Sequence, residues 1–224
     1  MPFADYFDRR SGQFAGLYRS RAVSRLIGRA ALFERLDFAV AKIEELGATR
    51  VLDIGCGSGP LFEPLAARGV RVTGLEPAPG MLRLAQEAAA RCNGLVDVVP
   101  GGWEDLARWD PGDRYDVAVA LGIFDYLPNP GDLLAAMAAV AGHSIVSFPR
   151  PGLRTNLRKL RYGARGVSVY GYALQRIETL AGRAGTETTQ LEPLGRAGYI
   201  LLGRNRARTG RPGGDPVQDP VVRP

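Results

Sequence analysis

The chain has 224 residues, 46% hydrophobic and 23% charged, with a formal net charge of +6; that length and balance suit one α/β-sized domain with a full core rather than two domains. Two cysteines, Cys56 and Cys92, exclude a disulfide framework, and a single histidine, His143, argues against a protein-ligated zinc site, so no metal is expected. The positive charge sits in an acid-free stretch over 150–165 and in the last 21 residues; without these two stretches the 29 basic and 23 acidic residues fall to 18 and 21, a body too acidic for a nucleic-acid surface.

Residues 1–48 repeat apolar positions at helical spacing. Tyr6, Phe7, Phe14, Leu17 and Tyr18 come first, then an amphipathic run over 26–46 that ends at Gly47. The opening MPFADYFDRR mixes acids with bases and has no apolar run of a secretory leader. The longest apolar stretch, 133–141, is far short of the ~20 residues that span a bilayer, so a cytoplasmic protein is expected. A buried parallel strand is predicted over 50–54, inside the run VLDIGCGSG (51–59). It leads into Gly55, Gly57 and Gly59, where the backbone can take positive φ or let a ligand lie against it. Pro60 stands where a dinucleotide fingerprint needs its third glycine, and the lysine of a phosphate-cradling loop is missing. The loop therefore suits an adenosyl-type ligand without a pyrophosphate. A helix over 60–68 and a second strand over 70–75 follow, with Glu76 at the strand's carboxyl end. An acid there can accept both hydroxyls of a ribose.

Further on, a helix is predicted over 79–92, strands over 95–99 and 115–120, a helix over 130–141 and a strand over 144–148. After Pro149 a basic segment (150–171) precedes a helix over 173–184 and two strands, 187–191 and 198–202. The alternation implies a doubly wound, mostly parallel sheet. Residues 205–224, rich in Pro, Gly and Arg, read as a disordered tail.

Four pieces taken together resemble the class I S-adenosylmethionine-dependent methyltransferases: VLDIGCGSG, VTGLEPAPGML (72–82), VVPGGWEDL (98–106) and YDVAVALGIFDYLPNPGDLL (115–134). The resemblance implies an α/β, seven-stranded Rossmann-like methyltransferase fold with a helical lid over 1–48, the main domain over 49–204 and a substrate-side insertion over 150–172. It implies S-adenosylmethionine as cofactor. Gly55 and Gly57 would lie against its methionine part beside Cys56, and Asp53 would place its amino group or merely cap the loop. Glu76, with Pro77 next to it, would bind the ribose. Met81 would pack on adenine or in the core, and Leu121 would line the path to the acceptor. Gly102 stands where many relatives carry an adenine-binding Asp, and Trp103 would stack on the ring or belong to the core. Tyr6, Tyr18 or Arg19 would close the lid over the cofactor's methionine end.

Transfer from a sulfonium needs positioning more than acid–base work. A base is needed only where the acceptor carries a proton, and Asp125, Tyr126, Tyr170 and Tyr172 are the candidates. The reading is a methyltransferase acting on a small-molecule acceptor, acidic or lipid-like, with oxygen the favoured target. RTNLRKLRYGAR (154–165) places leucines on one face and bases on the others, which suits an apolar pocket wall with cations for an acidic acceptor such as a carboxylate or phosphate, an anionic membrane surface or a solvated face. An RNA or protein methyltransferase and a non-catalytic cofactor-binding subunit are the rival readings. Oligomeric state is not set by the sequence.

Overall fold

A computed structural model describes residues 6, 8–12, 30–108 and 115–206. Phe7, Phe14, Leu17, Tyr18, Arg19, the first four residues of the helix expected over 26–46, and 207–224 lie outside the described residues. In chain order the elements are α1 (Ala31–Glu45), β1 (Arg50–Ile54), α2 (Phe62–Ala66), β2 (Arg71–Glu76), α3 (Pro79–Ala89) and β3 (Val96–Pro100). After a 3₁₀ turn (Trp103–Arg108) come β4 (Tyr115–Leu121), a second 3₁₀ turn (Phe124–Tyr126), α4 (Pro130–Val140) and β5 (Ala141–Pro149). Helices α5 (Leu153–Gly163) and α6 (Leu174–Arg183) and strands β6 (Thr186–Leu194) and β7 (Gly198–Asn205) complete the chain.

The seven strands form one sheet in the order β3-β2-β1-β4-β5-β7-β6. All pairs are parallel except β5 with β7 and β7 with β6. Period-two alternation divides the strand side chains between two cores. Val51, Val117, Val119, Ile145 and Ile200 pack under α1, α2 and α3. Leu52, Ala118, Ala120, Val146 and Leu201 pack under α4 and α6 on the opposite face. Helices therefore change face between β1 and β4, the switch point at which open α/β sheets leave a crevice at their carboxyl edge. Proline at the first turn starts both α3 and α4, where its fixed φ is helical and its missing N–H costs nothing.

Within 1–48, α1 is scaffold along much of its length, with Leu36, Ala39 and Ile43 buried against the sheet. Strand β5 begins three residues earlier than predicted, because Ala141 leaves α4 directly in extended geometry with no loop between the elements. Strand β6 is longer than predicted, and a register shift between Thr188 and Gln190 breaks its alternation. No helix among the described residues is long and apolar enough to cross a membrane.

Candidate active site

The run 51–59 makes the floor of a cleft of about 650 Å³. Gly55, Gly57 and Gly59 all take positive φ, at 68°, 60° and 73°. The turn closes back on β2, because the N–H groups of Gly55 and Cys56 both donate to the Leu75 carbonyl, at 2.8 and 3.2 Å. A Cβ on Gly74 would lie 2.6 Å from Phe62 Cζ and 3.0 Å from Cys56 Sγ, so the bare strand is what lets loop and α2 seat on β2.

Glu76 ends β2 and is buried. Its Oε2 accepts the Gly57 N–H and its Oε1 accepts the Ala78 N–H, each at 2.9 Å. A carboxylate oxygen carries two lone pairs, so each oxygen keeps accepting capacity toward the cleft. Burial raises the Glu76 pKa, and the two N–H groups oppose the rise. Asp53, opposite Gly74 and Val119 in the sheet, is pushed up to about 7 by burial and by the charge on Glu76, while Arg35 opposes the shift. Arg35 comes from α1 and reaches the cleft past Gly122. Gly122 has φ 88°, and a Cβ there would meet Arg35 Nη1 at 2.6 Å. The Gly122 N–H donates to Ser147 Oγ at 2.9 Å.

Of the residues expected to bind the cofactor, Asp53, Gly55, Cys56, Gly57 and Glu76 line this cleft, as do Pro77, Met81 and Leu121. Met81 is both cleft wall and core, since it is buried and packed on Ala78 and Leu84. Gly102 and Trp103 do not line it. Gly102 donates to Asp105 Oδ2 at 3.0 Å in the 3₁₀ turn, and Trp103 packs against the core beneath α4.

At the other end of the cleft α5 lies over the turn Phe124–Tyr126. Arg158 forms an ion pair with Asp125 and approaches the Tyr126 hydroxyl at 3.4 Å. Its guanidinium also stacks over Tyr162, 5.7 Å from the ring centroid. Tyr162 is 6.3 Å from Tyr126 and 5.4 Å from Tyr6, centroid to centroid. Burial and then the Asp125 charge raise the Tyr126 pKa far above that of an ordinary phenol. Tyr126 faces the cleft beside the Arg158–Asp125 pair. Asp125, paired with Arg158, holds an anchoring position.

Tyr172, expected as a candidate base, lies outside the cleft lining. The hydroxyl donates to the Leu127 carbonyl at 2.9 Å, the backbone N–H donates to the Pro149 carbonyl at 2.8 Å, and burial pushes the phenol up to about 12. Tyr172 thus clamps the FDYLP turn to the end of β5. Arg35 was not expected at the cleft, whereas Arg158 and Tyr162 belong to the segment expected to wall the acceptor pocket. A helical periodicity gives each the look of a solvated or core position; only the approach of α1 and α5 to the sheet edge brings them in.

Residues 51–143 match a family model described as a methyltransferase domain. A ubiquinone biosynthesis O-methyltransferase from Azorhizobium caulinodans is 36% identical over 120 residues, covering 54% of this chain and 47% of that protein. A protein of the same description from Methylobacterium sp. is 39% identical over 98 residues, covering 43% and 39%. The chain thus spans about half the length of these curated relatives or less. Magnesium protoporphyrin IX methyltransferase from Synechocystis PCC 6803 with bound SAH superposes with a TM-score of 0.72 over 91% of this chain and 98% of that one, at 24% identity. Human N-acetylserotonin methyltransferase in complex with SAM superposes at 0.61 over 86% and 58%, at 16% identity. At these identities the superpositions show the fold alone. Residues 51–143 thus resemble a methyltransferase domain in sequence, and the chain has the class I, Rossmann-like methyltransferase fold.

Proposed function

We propose, from the match of residues 51–143 to a methyltransferase-domain model and from this fold, that the protein transfers a methyl group from S-adenosylmethionine to a small-molecule acceptor, at oxygen. The observation that carries the reading is the buried Glu76 carboxylate, held by the Gly57 and Ala78 N–H groups with accepting capacity left over above a bare glycine floor. That donor set fits the cofactor: an acid for ribose hydroxyls, uncluttered backbone for the methionine part, and no cation demanding a phosphate on the floor.

When bound, S-adenosylmethionine supplies an electrophilic methyl group on a cationic sulfonium. Glu76 accepts the ribose hydroxyls. Asp53 and Arg35, of opposite charge and close enough to influence each other, suit the amino and carboxylate groups of the methionine part. Met81 gives an apolar contact. Leu121 and Gly122 form the passage to the acceptor end, which Tyr126, Leu157 and Tyr162 line. The work left to the chain is to hold the accepting oxygen in line, about 3–3.5 Å from the methyl carbon. With Asp125 paired to Arg158, the accepting oxygen is one that ionises readily by itself.

The ubiquinone-pathway relatives support oxygen and a lipid-like acceptor. Leu153, Leu157 and Leu160, 77%, 59% and 76% exposed among bases on α5, support contact with an anionic membrane surface. Tyr6 and Arg10 at the cleft support a lid role for the amino-terminal segment. Calorimetric titration with S-adenosylmethionine and S-adenosylhomocysteine tests the reading. Micromolar binding of both supports it, and binding of neither overturns it. A cofactor-binding partner subunit is the second reading, favoured by Gly102 in place of an adenine-binding acid and by Trp103 packing into the core; it predicts binding without turnover across an acceptor screen.

A further inference from the structure

Helix α5 packs one face on the protein and leaves the opposite face bare. Its inward residues are Thr155, which is buried, Arg158, which pairs with Asp125, and Tyr162, whose ring neighbours that of Tyr126. Leu153, Leu157 and Leu160, at i, i+4 and i+7, fall on the other side of the helix. Among the described residues they are the most exposed large apolar side chains. Single exposed leucines are ordinary on a protein surface, but three in one stripe mark a contact. Cations edge the stripe. Lys159 lies on one flank and Arg161 on the other, and Arg165, just past the helix end, donates from Nη1 to the Arg161 carbonyl at 2.7 Å. All three are exposed, and the sequence holds no acid from 150 to 177. Leu157 belongs to two surfaces, since it also lines the cleft. An apolar track therefore runs from the outer face of the helix into the cleft mouth.

We propose that α5 is an interfacial helix that seats the protein on an anionic lipid surface, with its leucines at the acyl boundary and Lys159, Arg161 and Arg165 among the headgroups. A helix with a narrow apolar stripe and an otherwise charged surface is too polar to enter a bilayer and amphipathic enough to lie along it. Charge selects this partner. A second copy docked stripe to stripe would bring like charges together, whereas an anionic leaflet satisfies leucines and cations at once. The seat turns the Leu157 side of the cleft mouth toward the lipid, so that an acceptor held in the leaflet enters along the apolar track. That last step rests on the methyltransferase reading; the seat itself does not.

The test is co-sedimentation of the full chain with vesicles of phosphatidylcholine alone and of phosphatidylcholine mixed equally with phosphatidylglycerol. The wild type should favour the anionic vesicles by about tenfold or more, with a preference that shrinks as salt is added. Leu153→Ser/Leu160→Ser, at two positions outside the cleft lining, should weaken that binding by about tenfold or more. Lys159→Gln/Arg165→Gln should cut the preference by about threefold or more. In both variants the affinity for S-adenosylhomocysteine and the thermal midpoint should stay as in the wild type. Equal binding to both kinds of vesicle overturns the proposal, and so does binding that survives the leucine substitutions. A wild type that ignores vesicles and self-associates, with the leucine variant monomeric, overturns it in favour of a second copy on the stripe. Binding to anionic vesicles by a chain that ignores S-adenosylhomocysteine sinks the methyltransferase reading and leaves the seat standing; the reverse result sinks the seat alone.

Discussion

At the level of single residues, Glu76 uses one carboxylate for two tasks: it fixes the glycine turn through Gly57 and Ala78, and it offers its remaining lone pairs to the cleft. Removing it costs charge-assisted hydrogen bonds of about 1–3 kcal/mol. Glu76→Ala should thus weaken S-adenosylhomocysteine binding by roughly 5- to 150-fold in calorimetry, and unchanged affinity would take Glu76 out of the site. Asp53 gives a pH signature. Its native pKa stands at about 7 against an ordinary 3.8, so the folded chain holds a proton that the unfolded chain releases. Its contribution to stability is therefore greatest below about pH 4 and declines as the pH rises through about 7. A cationic ligand group placed beside Asp53 favours the carboxylate and lowers its pKa. Binding of S-adenosylmethionine near pH 6.5 should accordingly release protons, seen as a dependence of the calorimetric heat on the ionisation enthalpy of the buffer. Asp53→Asn should remove most of that dependence. A heat that is the same in every buffer would argue against Asp53 facing the cationic group.

At the level of elements, the outer strand pair is fastened by one amide. Asn205 of β7 accepts from Thr186 Oγ1 at 2.8 Å and donates from Nδ2 to the Ala141 carbonyl at 3.0 Å, with Ser144 Oγ in the same buried group. Asn205→Ala leaves buried polar groups of β5 and β6 without that partner, which costs about 1–3 kcal/mol for each group that stays unsatisfied. Urea unfolding should show a loss in that range, and a change below ~0.5 kcal/mol would mean the network relaxes onto other partners. Which elements were readable follows from the same local physics. Strand β1 falls where predicted because its apolar run and the glycines after it agree. Strand β6 was harder to delimit, since its bulge breaks the period that marks a strand. Helix α5 could be read as wall, membrane face or solvated face, because stripe composition alone does not say which neighbour a stripe meets. The glycine floor and Glu76 were legible for a related reason: both lie within one βα unit, where sequence spacing fixes spatial spacing. Arg35 and the Arg158–Asp125 pair bridge distant elements and leave no local pattern. Tyr172 was misjudged because a tyrosine near a predicted loop reads alike whether its hydroxyl meets substrate or a carbonyl.

At the level of the whole molecule, two cores share one sheet, and the face change between β1 and β4 creates the crevice. At the opposite edge Asp116 Oδ2 accepts from the Thr49 and Arg50 N–H groups and from Thr49 Oγ1, at 2.7, 2.9 and 3.1 Å. Those bonds hold its carboxyl below the usual range against the pull of desolvation, and they tie the entry of β1 to β4. Both ends of the central strands are thus braced, one by a carboxylate clamp and the other by the glycine turn. Cys56 lies within that turn, 4% exposed, its thiol pushed up by burial and by the neighbouring Asp53 and Glu76 charges. Only a thiolate attacks an alkylating reagent readily, so Cys56 reacts only in the moments when the turn lifts from β2. In a Cys92→Ala background, the rate of iodoacetamide labelling at pH 8 should fall far below that of an exposed thiol and slow further once S-adenosylhomocysteine is added. Labelling that tracks global unfolding would mean that floor and sheet open as one unit, whereas labelling much faster than unfolding would time the breathing of the cradle alone.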